Sequence, residues 1–391
     1  MSIRELTLDQ LGDVARGRSR HRPRDAAHLY GGPFPFIQTG DVKKASLYLT
    51  EFEQTYSEAG LAQSKLWPAG TLCITIAANI ADTAILGIDA CFPDSVIGFT
   101  ANTEKADTRF VKYLFDGVLK IKYRSFTQGA AQDNLSQEKL LSIKFPVPEL
   151  RVQQRIADIL SAYDDQIGNN RRRIALLEEA ARMLYREWFV HFRFPGHEHV
   201  KIIDGLPEGW ERRTLINLAE VVMGQSPESK FYNETGDGLP FHQGVTDYGF
   251  RYVTHRTYST AVTRLGQAGD ILLSVRAPVG RINLTRDNIV VGRGLSAIRS
   301  RLGDQSFLFY SLKNHFYAED IIGTGSIYAA TNKKELEGQL LVVPSQVLLR
   351  EFEDQASQID RQIGNLTAQV EKLAQARDLL LPRLMNGEIT V

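Results

Sequence analysis

Apolar residues recur at alternating steps of four and three positions along two stretches of the chain, the pattern of a helix that packs along one seam. In the first stretch the seam consists of Ile156, Leu160, Tyr163, Ile167, Asn170, Ile174, Leu177, Ala181, Leu184 and Trp188. In the second it consists of Phe352, Ala356, Ile359, Ile363, Leu366, Val370, Leu373, Leu380 and Leu384, with an interruption at Arg377. The pattern predicts two long helices of about 55 to 60 Å each.

Each predicted helix needs a partner, because a long helix with one apolar seam is marginal alone in water. The same seam occurs twice in one chain, so we expect the two helices to pack on each other. The long segment between them has to return the chain, which favours an antiparallel coiled coil. Asn170 is the polar residue of the first seam and is expected to fix the register, while Pro382 should stop or kink the second helix.

The chain also contains an internal repeat that includes both helices. The matching segments are 147–148 with 343–344 and 164–169 with 360–365, both at an offset of 196 positions, and more loosely 11–19 with 218–226 and 35–38 with 240–243. A constant offset over segments this specific indicates a tandem duplication. We therefore expect the two copies to be related by a pseudo-twofold axis.

The segments outside the helices contain short β-rich runs entered from turn glycines, together with short stretches of helical spacing. The predicted strands are 70–78, 97–100, 143–147, 269–276, 289–291 and 340–343, and the predicted helices are 109–115 and 307–313. The fold class is therefore α+β, with two mixed α/β domains joined by two long helices that form an antiparallel coiled coil. The predicted boundaries are 1–147, 148–195, 196–343 and 344–391, in which mixed domains alternate with helical segments.

The composition is that of a folded protein with more than one domain. The 391 residues include 43% hydrophobic and 24% charged residues, which fits two or three domains. No apolar run approaches the roughly 20 residues that cross a bilayer, and the first residues lack a signal-peptide pattern. We therefore expect a cytoplasmic protein with no membrane partner. Two cysteines, Cys73 and Cys91, are too few for a disulfide framework or a zinc site.

Charge is balanced over the whole chain but not along it. Lys and Arg total 46, as do Asp and Glu, yet residues 16–24 hold five arginines and no acid. Residues 251–301 hold nine arginines, which are opposed only by Asp270 and Asp287. Such patches suit contact with DNA phosphates, although a solvated surface is an equally good interpretation of any one of them.

Side chains in these patches and in the neighbouring loops are the candidates for contact with DNA. They are Arg18, Arg20, Arg22, Lys120, Lys122 and Arg124 in the first domain and Gln225, Ser226, Arg276, Arg281, Arg293 and Tyr328 in the second. Arginine suits phosphates and guanine, whereas Gln or Asn suits adenine. Arg276 and Arg281 flank a rigid Ala-Pro-Val-Gly turn, so structural ion pairs are their alternative role.

Motifs for catalysis are absent from the sequence. It contains no GxxxxGK[ST] phosphate loop, no GxGxxG that opens a helix, no Asn/Asp-Pro-Pro-aromatic tetrapeptide and no HExxH. Glu228-Ser-Lys230 has the ExK form found in nucleases but lacks an acidic partner upstream, so we attribute it to chance. Duplicated domains without catalytic motifs favour binding over catalysis, and we expect no metal site.

Five segments together resemble the specificity subunit of type I restriction-modification systems, over nearly the full length of the chain. They are KFPVPELRVQQRIADIL, DDQIGNNRRRIALLEEAARMLYREWFVHFRFPG, VMGQSP, ILLSVRAPVGRIN and LLPRLMNGEITV. The resemblance implies two target-recognition domains that each read one half of a bipartite DNA site, with the coiled coil holding them apart. The loop GRSRHRP departs from its counterpart GQSPES, so the role of that loop transfers more safely to 224–227 than to 17–24.

The resemblance also implies partners for this chain. Two methylation subunits that carry S-adenosylmethionine would dock on the long helices, and restriction subunits that use ATP and Mg would translocate and cut DNA. The exposed helix faces and the aromatic linker 188–194 are the expected docking surfaces, with domain packing as the alternative for the linker. The chain itself would be non-catalytic and without a cofactor. The competing functions are a scaffold without sequence preference and a standalone nuclease or methyltransferase.

Overall fold

The computed structural model describes residues 3–77, 80–119, 136–320 and 330–391. The chain divides into two compact units, the first formed by Met1–Arg173 and Leu366–Val391 and the second by Ile174–Asn365. Two helices of 40 residues each, Leu150–Phe189 and Gln346–Met385, are the first and second long helices. Each unit contains one mixed domain and one part of each long helix.

The first unit contains two main sheets. The strands of the five-stranded sheet are, in spatial order, Gly12–Arg16, Val96–Ala101, Leu72–Thr75, Thr83–Leu86 and Tyr48–Leu49, and those of the four-stranded sheet are Gln54–Tyr56, Tyr30–Phe36, Ala90–Cys91 and Leu66–Trp67. A further pair joins Arg4–Leu6 to Phe145–Val147. The short helices are Leu8–Leu11, Thr39–Lys44, Glu58–Ala62, Thr108–Leu114 and Gln137–Ser142, with a 3-10 turn at Ala27–Leu29 and a π turn at Phe115–Leu119.

The second unit also contains two main sheets. The four-stranded sheet has the order Ala219–Met223, Leu295–Ser300, Ile271–Ser274 and Ile282–Leu284, and the five-stranded sheet has the order Tyr232–Asn233, Tyr258–Ser259, Leu239–His242, Ile289–Val291 and Leu265–Gly266. Two further pairs join Glu211–Thr214 to Leu340–Val343 and Ile202–Ile203 to Leu206–Pro207. The helices are Leu215–Leu218, Gln305–Asp320 and Lys333–Glu337, with 3-10 turns at His197–His199, Ser229–Phe231 and Val245–Asp247.

The sequence repeat has a counterpart in the strand order. In the first unit Val96–Ala101 lies between Gly12–Arg16 and Leu72–Thr75, and both pairings are antiparallel. In the second unit Leu295–Ser300 lies in the same way between Ala219–Met223 and Ile271–Ser274. The inner strands Leu72–Thr75 and Ile271–Ser274 are buried at every position, because both of their faces are covered.

A second stretch of the repeat becomes visible only through strand pairing. Tyr48 pairs in parallel with Ile85, and Tyr252 pairs in parallel with Leu284 at the same place in the second unit. The sequences around the two tyrosines are Leu47-Tyr-Leu-Thr and Arg251-Tyr-Val-Thr. Leu47 and Arg251 therefore occupy equivalent positions, one apolar and one charged.

The long helices pack antiparallel within each unit. In the first unit Ile156 and Leu160 share an apolar core with Leu384, and Asn170 Nδ2 donates to Gln369 Oε1 at 3.2 Å. In the second unit the rings of Tyr185 and Phe352 lie 6.0 Å apart in the core. As the residue numbers rise along the first long helix, the numbers of the residues they contact fall along the second. The predicted antiparallel coiled coil and the α+β fold class are therefore confirmed.

All predicted seam residues are buried or partly buried within their units. They are Ile156, Leu160, Tyr163, Ile167, Asn170, Ile174, Leu177, Ala181, Leu184 and Trp188 in the first long helix and Phe352, Ala356, Ile359, Ile363, Leu366, Val370, Leu373, Leu380 and Leu384 in the second. The expected effect of Pro382 is only partly correct, since the second long helix continues through it and ends three residues later at Met385. A proline in the last turn removes one hydrogen bond and leaves the preceding turns intact.

The interruption of the seam at Arg377 has a structural reason. Arg377 Nη1 donates to Asp164 Oδ1 of the first long helix, and Asp164 is 4% exposed. The same carboxylate accepts a hydrogen bond of 2.5 Å from Tyr113 Oη, which lies in the helix Thr108–Leu114 of the mixed domain. Burial raises the pKa of Tyr113 above its usual range, so the phenol stays protonated and acts as the donor.

The second unit repeats this contact but supplies its cation differently. Tyr310 Oη donates to Asp360 Oδ1 at 2.8 Å, and Asp360 lies 196 positions after Asp164. Here the cation is Arg251 of the mixed domain, whose Nη2 lies 2.6 Å from Asp360 Oδ1 and whose Nη1 also binds Glu178 of the first long helix. The Arg251 side chain is 2% exposed, so this cluster is a buried ion triad.

We expect the variant Arg251→Met to destabilise the second unit strongly. Removing Arg251 leaves the carboxylate of Asp360 without a cation and leaves Glu178 with only Lys313 Nζ, 3.5 Å away, which costs about 3 to 5 kcal/mol. Urea unfolding followed by the fluorescence of Trp188 and Trp210 measures the change. Arg256→Met removes an exposed arginine 3.6 Å from Asp247 and is the matched control. It should cost about 1 kcal/mol or less. Equal losses in the two variants would contradict the role of the triad.

Candidate DNA-binding surface

Two exposed arginines of the second unit, Arg276 and Arg293, line a cleft of about 450 Å³. The other walls are formed by three turns, 243–246, 274–277 and 293–294. None of the described residues that line the cleft is acidic. The cleft therefore presents two cations to solvent without a carboxylate beside them.

Main-chain hydrogen bonds explain why these turns meet. Gly292 N donates to His242 O at 2.8 Å, and Val275 N donates to Gly294 O at 2.9 Å. Arg293 lies between the two glycines and donates through its backbone N to Ser226 Oγ at 3.2 Å. The Arg293 turn is thus the point at which three loops of the second domain are joined.

The structure brings five sequence-predicted residues of the second domain together around this point. Gln225 is exposed and its N donates to Val291 O at 2.8 Å, next to Ser226. Arg281 closes the turn that begins at Arg276, since its N donates to Ser274 Oγ at 2.8 Å. The sixth candidate, Tyr328, lies outside the described residues.

The arginine-rich segment of the first domain is less available than its sequence indicates. Arg24 Nη2 lies 2.9 Å from Asp94 Oδ2, and Arg16 donates to Asp94 O through Nε at 3.0 Å and Nη2 at 2.7 Å. Arg16 thus binds the main-chain carbonyl of Asp94, whereas the acid that opposes Arg24 is the Asp94 carboxylate, 70 positions away in sequence and adjacent in the fold. Sequence inspection of 16–24 alone could not find it.

The three predicted contacts of this segment, Arg18, Arg20 and Arg22, are all exposed. Arg22 Nη1 bends back to Ser19 O at 2.7 Å and to His21 O at 2.8 Å. The guanidinium groups of Arg18 and Arg20 have no carboxylate partner in the described part of the chain. The remaining candidates, Lys120, Lys122 and Arg124, lie outside the described residues.

The two units present opposite charges at equivalent turns. Gly17 N donates to Val96 O in the first unit, and Gly224 N donates to Leu295 O in the second. The turn that precedes Val96 carries Asp94, whereas the turn that precedes Leu295 carries Arg293. The loops GRSRHRP and GQSPES differ in sequence, and the turns against which they pack differ in charge.

Other arginines of segment 251–301 serve the fold. Arg299 donates to both carboxylate oxygens of Asp270 at 2.7 and 2.8 Å, and Arg251 belongs to the buried triad. The guanidinium of Arg286 lies 5.0 Å from the centre of the Tyr252 ring. The nine arginines thus differ in role, and Arg276 and Arg293 are the exposed ones that line the cleft.

The aromatic linker 188–194 serves packing. Trp188, Phe189 and Phe194 are buried in the core of the second unit, where the Phe194 and Trp210 rings lie 5.1 Å apart. The alternative of domain packing, rather than an interface patch, therefore holds for these aromatic residues.

Three further observations concern chemistry elsewhere in the chain. Cys73 and Cys91 are both buried and free, and burial raises the pKa of both thiols. The described residues contain no group of three or more His, Cys, Asp or Glu side chains that could hold a metal ion. Within the same residues, no helix is both long and apolar enough to cross a membrane.

Comparison with known proteins places the chain among DNA specificity subunits. A family model described as "Type I restriction modification DNA specificity domain" matches residues 5–179. The type I restriction enzyme MjaX specificity subunit of Methanocaldococcus jannaschii is 32% identical over 265 residues, which are 66% of this chain and 62% of that protein. The MjaIX specificity subunit of the same organism is 24% identical over 413 residues, which are 98% of this chain and 93% of that protein.

A solved structure supports the fold independently. The crystal structure of the type I restriction-modification system S subunit from M. genitalium matches with a TM-score of 0.65 at 15% identity, covering 98% of this chain and 96% of that one. The chain spans less than two thirds of the MjaX subunit but nearly all of the MjaIX subunit. The predicted family is confirmed, as is the prediction of a non-catalytic subunit, which rests on the relatives that carry this name. Residues 5–179 belong to the family of type I restriction-modification DNA specificity domains, and the chain as a whole is similar to specificity subunits of these systems.

Proposed function

We propose that the chain recognises a bipartite DNA target, with one half-site for each mixed domain, and directs methylation and restriction subunits to it. The observation that carries this proposal is the duplicated attachment of a mixed domain to the paired long helices through Tyr113 and Tyr310. Two differently charged heads on one repeated support suit two different half-sites. In this proposal the functional segments are 1–147 and 196–343 for recognition and 148–195 and 344–391 for the coiled coil.

The proposed contacts fall into two classes. Arginines outside ion pairs, led by Arg276 and Arg293, contact phosphates or guanine, and the loop residues Gln225 and Ser226 approach the duplex closely. Arg281 and Tyr328 complete the proposed set in the second domain. In the first domain the proposed contacts are Arg18, Arg20, Arg22, Lys120, Lys122 and Arg124.

The proposed partners act through the long helices, in the cytoplasm. Two methylation subunits would bring S-adenosylmethionine, and restriction subunits would bring ATP and Mg, since this chain offers no catalytic motif. Exposed apolar side chains on the long helices are the proposed docking positions. Leu176 is 71% exposed, Met183 is 54% exposed and Leu379 is 70% exposed, so each offers apolar surface to a partner.

We expect a random-site selection with the full chain, assembled with its methylation subunits, to return one bipartite motif with a fixed gap. Two heads on a stiff support can read two short sequences only at a set separation. A scaffold without sequence preference would return no motif. Modification or cleavage of DNA by the purified chain alone would instead support a standalone enzyme.

We expect the double variant Arg276→Ala and Arg293→Ala to bind all DNA sequences more weakly and with less dependence on salt. Each lost phosphate contact lowers the slope of log affinity against log salt by about 0.9. The measurement is a titration of DNA binding at several salt concentrations. Arg212→Ala removes an exposed arginine outside the cleft and should leave the slope unchanged. An unchanged slope in the double variant would remove the phosphate role of these arginines.

We expect the gap between the half-sites to depend on helix length. Four residues inserted after Asn170, with four more after Gln369 to keep the helices in register, lengthen the pair by about 6 Å, or roughly one to two base pairs. Selection with this variant should return the same half-sites with a longer gap. An unchanged gap would show that the long helices do not set it.

A further inference from the structure

Gln243 lines the same cleft as Arg276 and Arg293. In the sequence it is the last residue of the repeat segment 240–243, which matches 35–38. Its side chain is exposed. In the part of the chain that the structure describes, its amide has no hydrogen-bond partner. An amide that shares the cleft with two cations is therefore available to a ligand.

The backbone of Gln243 is held firmly even though its side chain is free. Gly294 N donates to Gln243 O at 3.0 Å. A Cβ atom at Gly292 would lie 2.7 Å from Gln243 Cα, and one at Gly294 would overlap Gln243 O, so both positions require glycine for this close approach. The Gly-Arg-Gly turn thus clamps Gln243 directly beside Arg293.

The preceding residue is fixed as well. His242 is fully buried, its Nδ1 lies 3.2 Å from Asp247 Oδ2, and its Nε2 lies 2.9 Å from His255 Nδ1. These contacts hold the end of the strand Leu239–His242. Because its backbone is fixed on both sides, only the side chain of Gln243 loses freedom when its amide binds.

The first unit shows the same residue in a different state. Gln38 occupies the matching position of the repeat, yet its Nε2 donates to Gln54 Oε1 at 2.6 Å. Its backbone N also donates to Asp41 Oδ2 at 2.8 Å at the start of the helix Thr39–Lys44. The glutamine of the first unit is thus used within the fold, whereas that of the second is not.

We propose that Gln243 is a specificity-determining residue whose amide reads an adenine in the half-site bound by the second unit. A glutamine amide offers one donor and one acceptor, which match adenine N7 and N6 in the major groove. The two arginines of the same cleft bind phosphates or guanine and hold the duplex against it. This inference rests on the proposed function and adds to it one residue and the base that it reads.

The test is random-site selection with the full chain assembled with its methylation subunits, in wild-type form and as Gln243→Ala. The variant should return the wild-type motif with a single A·T position made degenerate, while the other half-site and the gap stay the same. In competition binding, discrimination at that position should fall roughly tenfold to a hundredfold.

Two further variants sharpen the result. Gln243→Glu keeps the size of the side chain but offers only acceptors, so the preference at that position should move to cytosine, whose N4 is a donor. Gln38→Ala is the matched control and should leave every base preference unchanged. A Gln243→Ala motif identical to the wild-type motif, or uniformly weaker binding with all preferences kept, would overturn the role of Gln243. A wild-type chain that returns no bipartite motif would overturn the proposed function itself.

Discussion

A buried hydrogen bond from a tyrosine to a carboxylate joins each mixed domain to a long helix, and the rest of each unit is arranged around it. Tyr113 binds Asp164 and Tyr310 binds Asp360, at matching positions of the repeat. An acid buried in this way is tolerated only beside a cation, because an unpaired buried charge is strongly destabilising. Each unit meets this requirement with one arginine, so the mixed domain is attached in one defined geometry. The loops that carry the exposed arginines therefore extend from a rigid base.

The architecture could be predicted from the sequence because its signals are periodic and occur twice. The seams of the long helices, the strands Leu340–Val343 and Ile289–Val291, and the duplication itself all follow from local patterns. The relation between Leu47 and Arg251 could not be predicted, because only the pairing of the following tyrosines with equivalent strands aligns them. The role of Arg377, which interrupts the apolar seam, could not be predicted either, because its partner Asp164 lies more than two hundred positions earlier.

The candidate site was less predictable than the fold, because charge in sequence does not reveal which cations are already paired. The segment around Arg18 contains no acid, yet Asp94 pairs with Arg24 from a distant strand connection. Arg299 and Arg251 belong to ion pairs inside the second unit, whereas Arg276 and Arg293 remain exposed at a cleft. An exposed guanidinium is free to contact phosphate, and a paired one has its charge already compensated. Only the three-dimensional arrangement separates these two groups.

Arg377 belongs to a long helix, whereas Arg251 belongs to a mixed domain. The two mixed domains therefore differ in how easily each can be exchanged for another. Arg377 belongs to the second long helix and stays in place if the first mixed domain is replaced. The replacement domain therefore needs only a tyrosine that reaches Asp164. Arg251 leaves together with the second mixed domain, and a replacement at that position has to bring its own cation for Glu178 and Asp360. New combinations of half-sites are consequently easier to build by grafting at the first position than at the second.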